Sequence, residues 1–361
     1  MRVEKLVREM SLIPALCGHE QKMAKYLKDL FDALGYETAE DVFGNVIAKV
    51  AGKSQDGPTV MVFAHMDQVG FMVRKIDEGG FILLERVGGI PEKVLPGLKV
   101  QIQNEKGEMI PGLIGVKAHH ATLPEEKYSV ERYQDLFVDI GARSKQQVLD
   151  LGIDIGAPVV YYPSYDRLQG TRVVATSLDN RCATAVLADM AYRLKETPPE
   201  TTVYLVGTVQ EEYNLRGGMM AARKIKPDIA ICVDVALDTH TPDLTGKGDV
   251  SMGGGPVIIL YNFHGRGTLN GTIPHPGLVR YLKQVADWEK IPIQKEAAIG
   301  GLTDLAYVQL EGEGAICVDI GVPARYFHSP VETCDLADVQ MTSIFLTAAV
   351  TRINKNTIFT R

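Results

Sequence analysis

Four short segments, TVMVFA (59–64), VYLVGT (203–208), IAICVDV (229–235) and AICVDI (315–320), are apolar or nearly so without strand alternation. A strand with apolar side chains on both faces has to be covered on both faces, which places these runs inside a sheet with helices above and below. The segments between them supply such helices. Ala183, Val186, Leu187, Met190 and Leu194 recur at helical spacing, and 217–225, 277–289 and 335–354 read as further helices. At the N-terminus Val3, Leu6, Val7 and Met10 mark one helix. Met23, Tyr26, Leu27, Leu30, Phe31 and Leu34 mark a second, closed by Gly35. The expected architecture is α/β, a mostly parallel central sheet flanked by helices.

Between about 68 and 165 the texture changes. Short β-rich runs (FILLERV, LKVQIQ, DLFVDIGA) are punctuated by turn signals such as Pro111-Gly112, and only 144–151 hints at a helix. This pattern predicts an inserted, small β-barrel-like domain. The expected organisation is therefore an α/β domain in two parts, 1–67 and 166–361, interrupted by an insertion over 68–165.

Charge and cysteine usage exclude several classes. The chain has 38 Lys and Arg against 45 Asp and Glu, a net charge of −7, with no basic block. It therefore lacks the cationic stripe that binds nucleic acid or anionic lipid. No apolar stretch approaches the roughly 18–20 residues of a membrane span, and MRVEKLVREMSLIP mixes charge into every turn, unlike a signal peptide. The five cysteines are odd in number and form no CxxC, which argues against a disulfide framework or thiolate zinc site and for a reducing, cytoplasmic setting.

In open α/β sheets ligands bind beyond the carboxyl ends of the strands. His65 and Asp67 follow the 59–64 run, Glu211 and Glu212 follow 203–208, Asp234 ends 229–235, and His328 lies beyond 315–320. Asp179 sits just before the 183–194 helix. Each has an ordinary structural alternative: Asp179 as a helix N-cap, the glutamates as a solvated pair, His328 as a surface loop residue. Together, four acids (Asp179, Glu211, Glu212, Asp234) and two histidines on one sheet edge would repel and desolvate one another unless cations neutralised them. Two divalent ions would do so, and oxygen and imidazole donors suit zinc, cobalt or manganese. The HxD spacing allows Asp67 to hold the ring of His65. Of the adjacent glutamates, one can bind metal while the other stays free as a base.

AHMDQVGFMV, SLDNRCA, VQEEYNLRGG, CVDVALDTHTPD and VPARYFHSPVE, in this order, resemble the signature of the tetrahedral dinuclear metallo-aminopeptidases, the glutamyl and deblocking aminopeptidases sometimes labelled endoglucanase. The resemblance covers nearly the whole chain. It implies one metal on His65, Asp234 and a bridging Asp179, and a second on Glu212, His328 and the same Asp179. It further implies Glu211 as general base, Asp67 as support for His65, and a cis Asp179–Asn180 peptide. The implied activity is removal of N-terminal residues from peptides by a water activated between two metals. The implied assembly is a homo-oligomer, a tetrahedral dodecamer of dimers joined through the β insertion. The sequence departs from the family at Tyr213-Asn214, where Val-Gly is common, and at Leu302, interposed in a Gly-Gly-Thr-Asp element.

Alternatives are another dinuclear amide hydrolase (a deacylase or carboxypeptidase), a catalytically silent assembly protein of the same fold, and a glycoside hydrolase with metal-free paired carboxylates. His19-Glu20 begins an HExxH pattern that fails at Met23, and no GxSxG elbow occurs. Cys182 reads as a packed thiol. His119, His120, His240, His264 and His275 are expected to take no part in metal binding.

Overall fold

The computed structural model describes residues 1–54, 56–264 and 271–361. Among these, eleven strands form one sheet. From one edge its order is Glu37–Glu40, Val46–Val50, Val203–Thr208, Val60–His65, Ile229–Leu237, Ile316–Arg325, Glu332–Asp335, Arg172–Ala175 and Tyr165–Arg167. Val257–Phe263 and Gln294–Ile299 branch from Ile316–Arg325. The expected α/β architecture is present. Its parallel part is the central quartet Val203–Thr208, Val60–His65, Ile229–Leu237 and Ile316–Arg325, while most outer strands pair antiparallel.

The unalternating apolar runs have a direct structural cause. In Val60–His65, Val60, Val62 and Ala64 point into the larger core, and Met61 and Phe63 into a second core on the opposite face. Ile229, Ile231 and Val233 divide from Ala230 and Cys232 in the same way. The larger core is closed by the helices Arg2–Ser11, Gln21–Ala33, Leu178–Glu196, Pro276–Glu289 and Leu336–Arg352. The smaller is closed by Arg216–Ile225 and Leu305–Val308. Truncating a fully buried aromatic such as Phe63 in such a core costs about 3–5 kcal/mol.

Past His65 the chain leaves the sheet, and six strands between Gly70 and Tyr161 close into an antiparallel barrel. Phe71, Val73, Leu84, Val100, Ile102 and Val138 fill its interior. The predicted short helix is Lys145–Asp150. Several short elements carry too little periodicity to be read in the sequence: Glu37–Glu40, Tyr165–Arg167, Arg172–Ala175 and Glu332–Asp335 pair by register on their neighbours rather than by a pattern of their own. Among the described residues no helix is long and apolar enough to cross a membrane.

Candidate metal centre

Parallel pairing sets the ends of the central strands side by side. His65 is the last residue of its strand and registers with Thr208, so Glu211 and Glu212 emerge beside it. Asp234 lies on the next strand over. Asp179 comes from the opposite direction. It lies in a non-helical turn (φ −81°, ψ 101°) before the regular part of Leu178–Glu196, and its peptide to Asn180 is cis.

The two carboxylate oxygens of Asp179 face different imidazoles. Oδ1 is 3.1 Å from His65 Nε2, and Oδ2 is 3.3 Å from His328 Nε2. Around His65 Nε2 also lie Asp234 Oδ1 at 3.7 Å and Glu211 Oε2 at 3.9 Å. Around His328 Nε2 lies Glu212 Oε1 at 3.3 Å. The side chains thus form three overlapping groups, His65–Asp179–Asp234, Asp179–Glu212–His328 and His65–Glu211–Glu212, each with its ligand atoms within 4.8 Å of one another; Asp179 is shared by the first two.

Asp67 is fully buried next to this cluster and meets the His65 ring with both its backbone and its side chain. His65 Nδ1 lies 3.2 Å from the Asp67 backbone carbonyl and 3.6 Å from its carboxylate. The strand ends at His65, so the chain turns and brings the carbonyl closer. The carboxylate also accepts the backbone N–H of Glu211 on Oδ1 and of Glu212 on Oδ2, each at 3.0 Å.

Two further residues serve the site without having been singled out in the sequence. Glu332, buried, accepts the backbone N–H groups of Asp179 and His328, both at 2.7 Å. Arg181, fully buried, donates to the carbonyls of Met10, Ile13 and Met66 and to Gln68 Oε1, and so ties the segment after His65 to the N-terminal helix. The only sequence cue was proximity: each lies within four positions of a candidate ligand.

Electrostatics follow from crowding. Burial opposes charge on His65, yet Glu211, Asp179, Asp234 and Asp67 hold its imidazole well above the ordinary range. Burial also opposes charge on His328, but Glu212 and Asp179 push it up to about 12. Burial drives Glu211 well above the ordinary glutamate range; His65 resists the rise, and Glu212 and Asp234 add to it. Asp234 rises to about 6, chiefly by burial. Asp179 is held low against burial by His328 and His65. Such a set retains protons because carboxylates outnumber the cations available to them, which is the condition a divalent ion relieves. The oxygen and imidazole donors fit zinc, cobalt or manganese.

A fourth group, Cys17, Glu20 and Asp67, is also compact and buried. Glu20 Oε1 already accepts the N–H groups of Gly18 and Gln210, and the two oxygens of Asp67 accept those of Glu211 and Glu212, so three of its four carboxylate oxygens are engaged by the backbone. Cys182 is fully buried, with Sγ 2.9 Å from the carbonyl of Leu178, and burial keeps its thiol protonated. His240 faces the carbonyl of Val250 and His275 caps the helix Pro276–Glu289, and neither belongs to these groups among the described residues. Tyr213 is half exposed, with the Arg216 guanidinium over its ring at 4.5 Å. Asp304, after Leu302, accepts from Thr208 Oγ1 at 2.7 Å.

The family model described as M42 glutamyl aminopeptidase matches residues 44–344. The chain belongs to the M42 glutamyl aminopeptidase family. Among this M42 peptidase's relatives is SgcX of Escherichia coli (strain K12), provisionally named an aminopeptidase. It is 38% identical over 334 residues, covering 92% of this chain and 89% of SgcX. Among solved structures, aminopeptidase APDkam598 from the archaeon Desulfurococcus kamchatkensis superposes with a TM-score of 0.92 at 30% identity, covering 98% of this chain and 96% of that one. The TET1 peptidase of Pyrococcus horikoshii, which can assemble into a tetrahedron or a large octahedral shell, gives a TM-score of 0.85 at 28% identity, covering 97% of this chain and 100% of that one.

Proposed function

We propose that this M42 peptidase removes N-terminal residues from peptides and that two divalent ions serve its site. His65, Asp234 and Asp179 would hold one ion, and Glu212, His328 and Asp179 the other. The single observation that carries this reading is the divided carboxylate of Asp179, whose oxygens address two different imidazoles at 3.1 and 3.3 Å. When bound, two such ions supply Lewis acidity toward a carbonyl oxygen and an easily deprotonated water.

The remaining chemistry belongs to the chain. Glu211 is held in place through its backbone N–H by Asp67 and keeps its carboxylate beside the cluster. Its burial raises its proton affinity, which suits a group that accepts a proton from the attacking water at Oε2 and returns it to the leaving amine. The anionic groups of the cluster also provide a place for a free α-ammonium, the feature that separates an exopeptidase from an amide hydrolase of other specificity.

Assembly is part of the reading. The segment after the barrel strand Met109–Ile114 exposes Val116, Leu123, Tyr128 and Val130, apolar surface of the kind that partner subunits cover. The proposed state is a homo-oligomer of dimers joined through residues 68–165, as a tetrahedral dodecamer; light scattering that returned a monomer would remove this part alone.

The activity is tested with the protein loaded with zinc, cobalt or manganese against matched peptides with free and N-acetylated termini. Turnover of only the free peptides, abolished by chelation and restored by metal, is the expected result. Equal cleavage of both, or activity indifferent to chelation, would remove the proposal.

A further inference from the structure

His328 is a candidate ligand that no strand carries. It lies beyond the end of Ile316–Arg325 with a left-handed backbone (φ 67°), and Tyr326 two residues earlier is left-handed as well (φ 59°). Non-glycine residues keep such conformations only where their surroundings over-determine them. For His328 three contacts do so. Its N–H donates to Glu332, its carbonyl accepts from the Tyr161 hydroxyl at 3.1 Å, and its Nδ1 lies 2.5 Å from the Gly89 carbonyl.

Two of these three partners belong to the inserted barrel. Tyr161 ends the barrel strand Pro158–Tyr161, and Gly89 lies in the turn after Ile82–Val87. The approach of that turn depends on glycine: Gly88 has φ +85°, and a Cβ there would come within 2.6 Å of Val69. By contrast, the hydrogen-bond partners found for His65, Asp179 and Asp234 are Asp67, Thr184, Glu332, Val235 and one another, none of them a barrel strand residue. The two halves of the site are therefore supported differently.

We infer that the inserted barrel is a positioning element for one half of the centre: the Gly89 carbonyl and the Tyr161 hydroxyl orient His328 so that Nε2 faces Asp179 and Glu212. This rests on the two-ion reading above. A carbonyl at Nδ1 can only accept, so it selects the tautomer with the proton on Nδ1 and leaves the Nε2 lone pair free for an ion. Tyr161 acts through the backbone of His328, and it is a positioning residue.

The test is a metal titration, read as ions bound per chain and their affinities, on the unaltered protein and two single-hydroxyl variants. Tyr161→Phe removes the contact to His328. Tyr133→Phe removes a barrel hydroxyl that bonds Glu85 and touches no ligand. The expected pattern is two ions in the unaltered protein, one ion unchanged and the other bound about tenfold more weakly in Tyr161→Phe, and both unchanged in Tyr133→Phe. Equal binding by Tyr161→Phe and the unaltered protein overturns the inference while leaving the two-ion reading intact. Equal weakening by Tyr133→Phe also overturns it, because barrel stability rather than orientation would then be the cause. An unaltered protein that binds fewer than two ions removes the reading and the inference together. Should Tyr161→Phe fail to fold, the zinc-loaded crystal structure of the unaltered protein decides: zinc on His328 Nε2 supports the inference, and zinc on Nδ1 overturns it.

Discussion

Glu332 accepts the backbone N–H of Asp179 at 2.7 Å across 153 positions of sequence, and its other oxygen holds the N–H of His328. One buried carboxylate thereby fixes the separation between the shared ligand and the histidine of one half-site. Glu332→Ala would strand a buried donor on Asp179, costing about 1–3 kcal/mol, and a part-buried one on His328. It should also weaken metal binding at least about tenfold. Glu332→Gln keeps one acceptor oxygen and should fall between the two. Calorimetric metal titration of both variants checks the order; an alanine variant that binds as the unaltered protein does would remove this role.

Glu211 should separate binding from turnover. In the structure it sits beside His65 at 3.9 Å but outside the two ion-holding triads assigned in the proposed mechanism. Glu211→Gln is nearly isosteric and should keep metal content while kcat falls by about 10²–10⁴. Metal analysis alongside steady-state kinetics tests both halves, and near-normal kcat would take Glu211 out of the proton transfer.

Asp179 and the histidines should differ in stoichiometry. His65→Ala removes a donor from one triad and His328→Ala from the other, so each should lower the content toward one ion. Asp179→Ala removes a donor from both and should deplete both. Elemental analysis of protein dialysed against a fixed free-metal concentration gives the comparison; an Asp179→Ala protein with full metal content would exclude the shared role.

The sheet and the candidate ligands were legible because their signals are local. A strand covered on both faces is apolar throughout, and a residue just past it, such as His65 or Glu212, stands where the topology opens. The barrel announced itself by turn signals and short β-rich runs. What escaped was contact with backbone. Glu332, Tyr161 and Gly89 act on N–H, C=O or ring groups of residues distant in the chain, and a backbone N–H carries no sequence signature. Asp67 shows the same limit. Its spacing from His65 suggested a partner for the ring, and its carboxylate lies 3.6 Å from Nδ1, but nothing in the spacing showed that the same carboxylate also accepts from the main chain of Glu211 and Glu212.

Away from the centre, Glu296 makes a pH-dependent contribution to stability. It is half-buried on Gln294–Ile299, and burial alone lifts it from 4.5 to about 7. The folded state therefore binds this proton more tightly than the unfolded chain. By linkage the associated stability is fully present below 4.5 and is lost as pH rises through about 7. Glu296→Gln cannot ionise and should escape that loss. Its advantage should be small near pH 5 and grow to about 1–2 kcal/mol near pH 8, a figure reduced for partial exposure. Denaturant midpoints of the two proteins at both pH values measure the gap, and a gap that stays constant or narrows toward pH 8 would show that the Glu296 carboxyl is not held protonated by the fold.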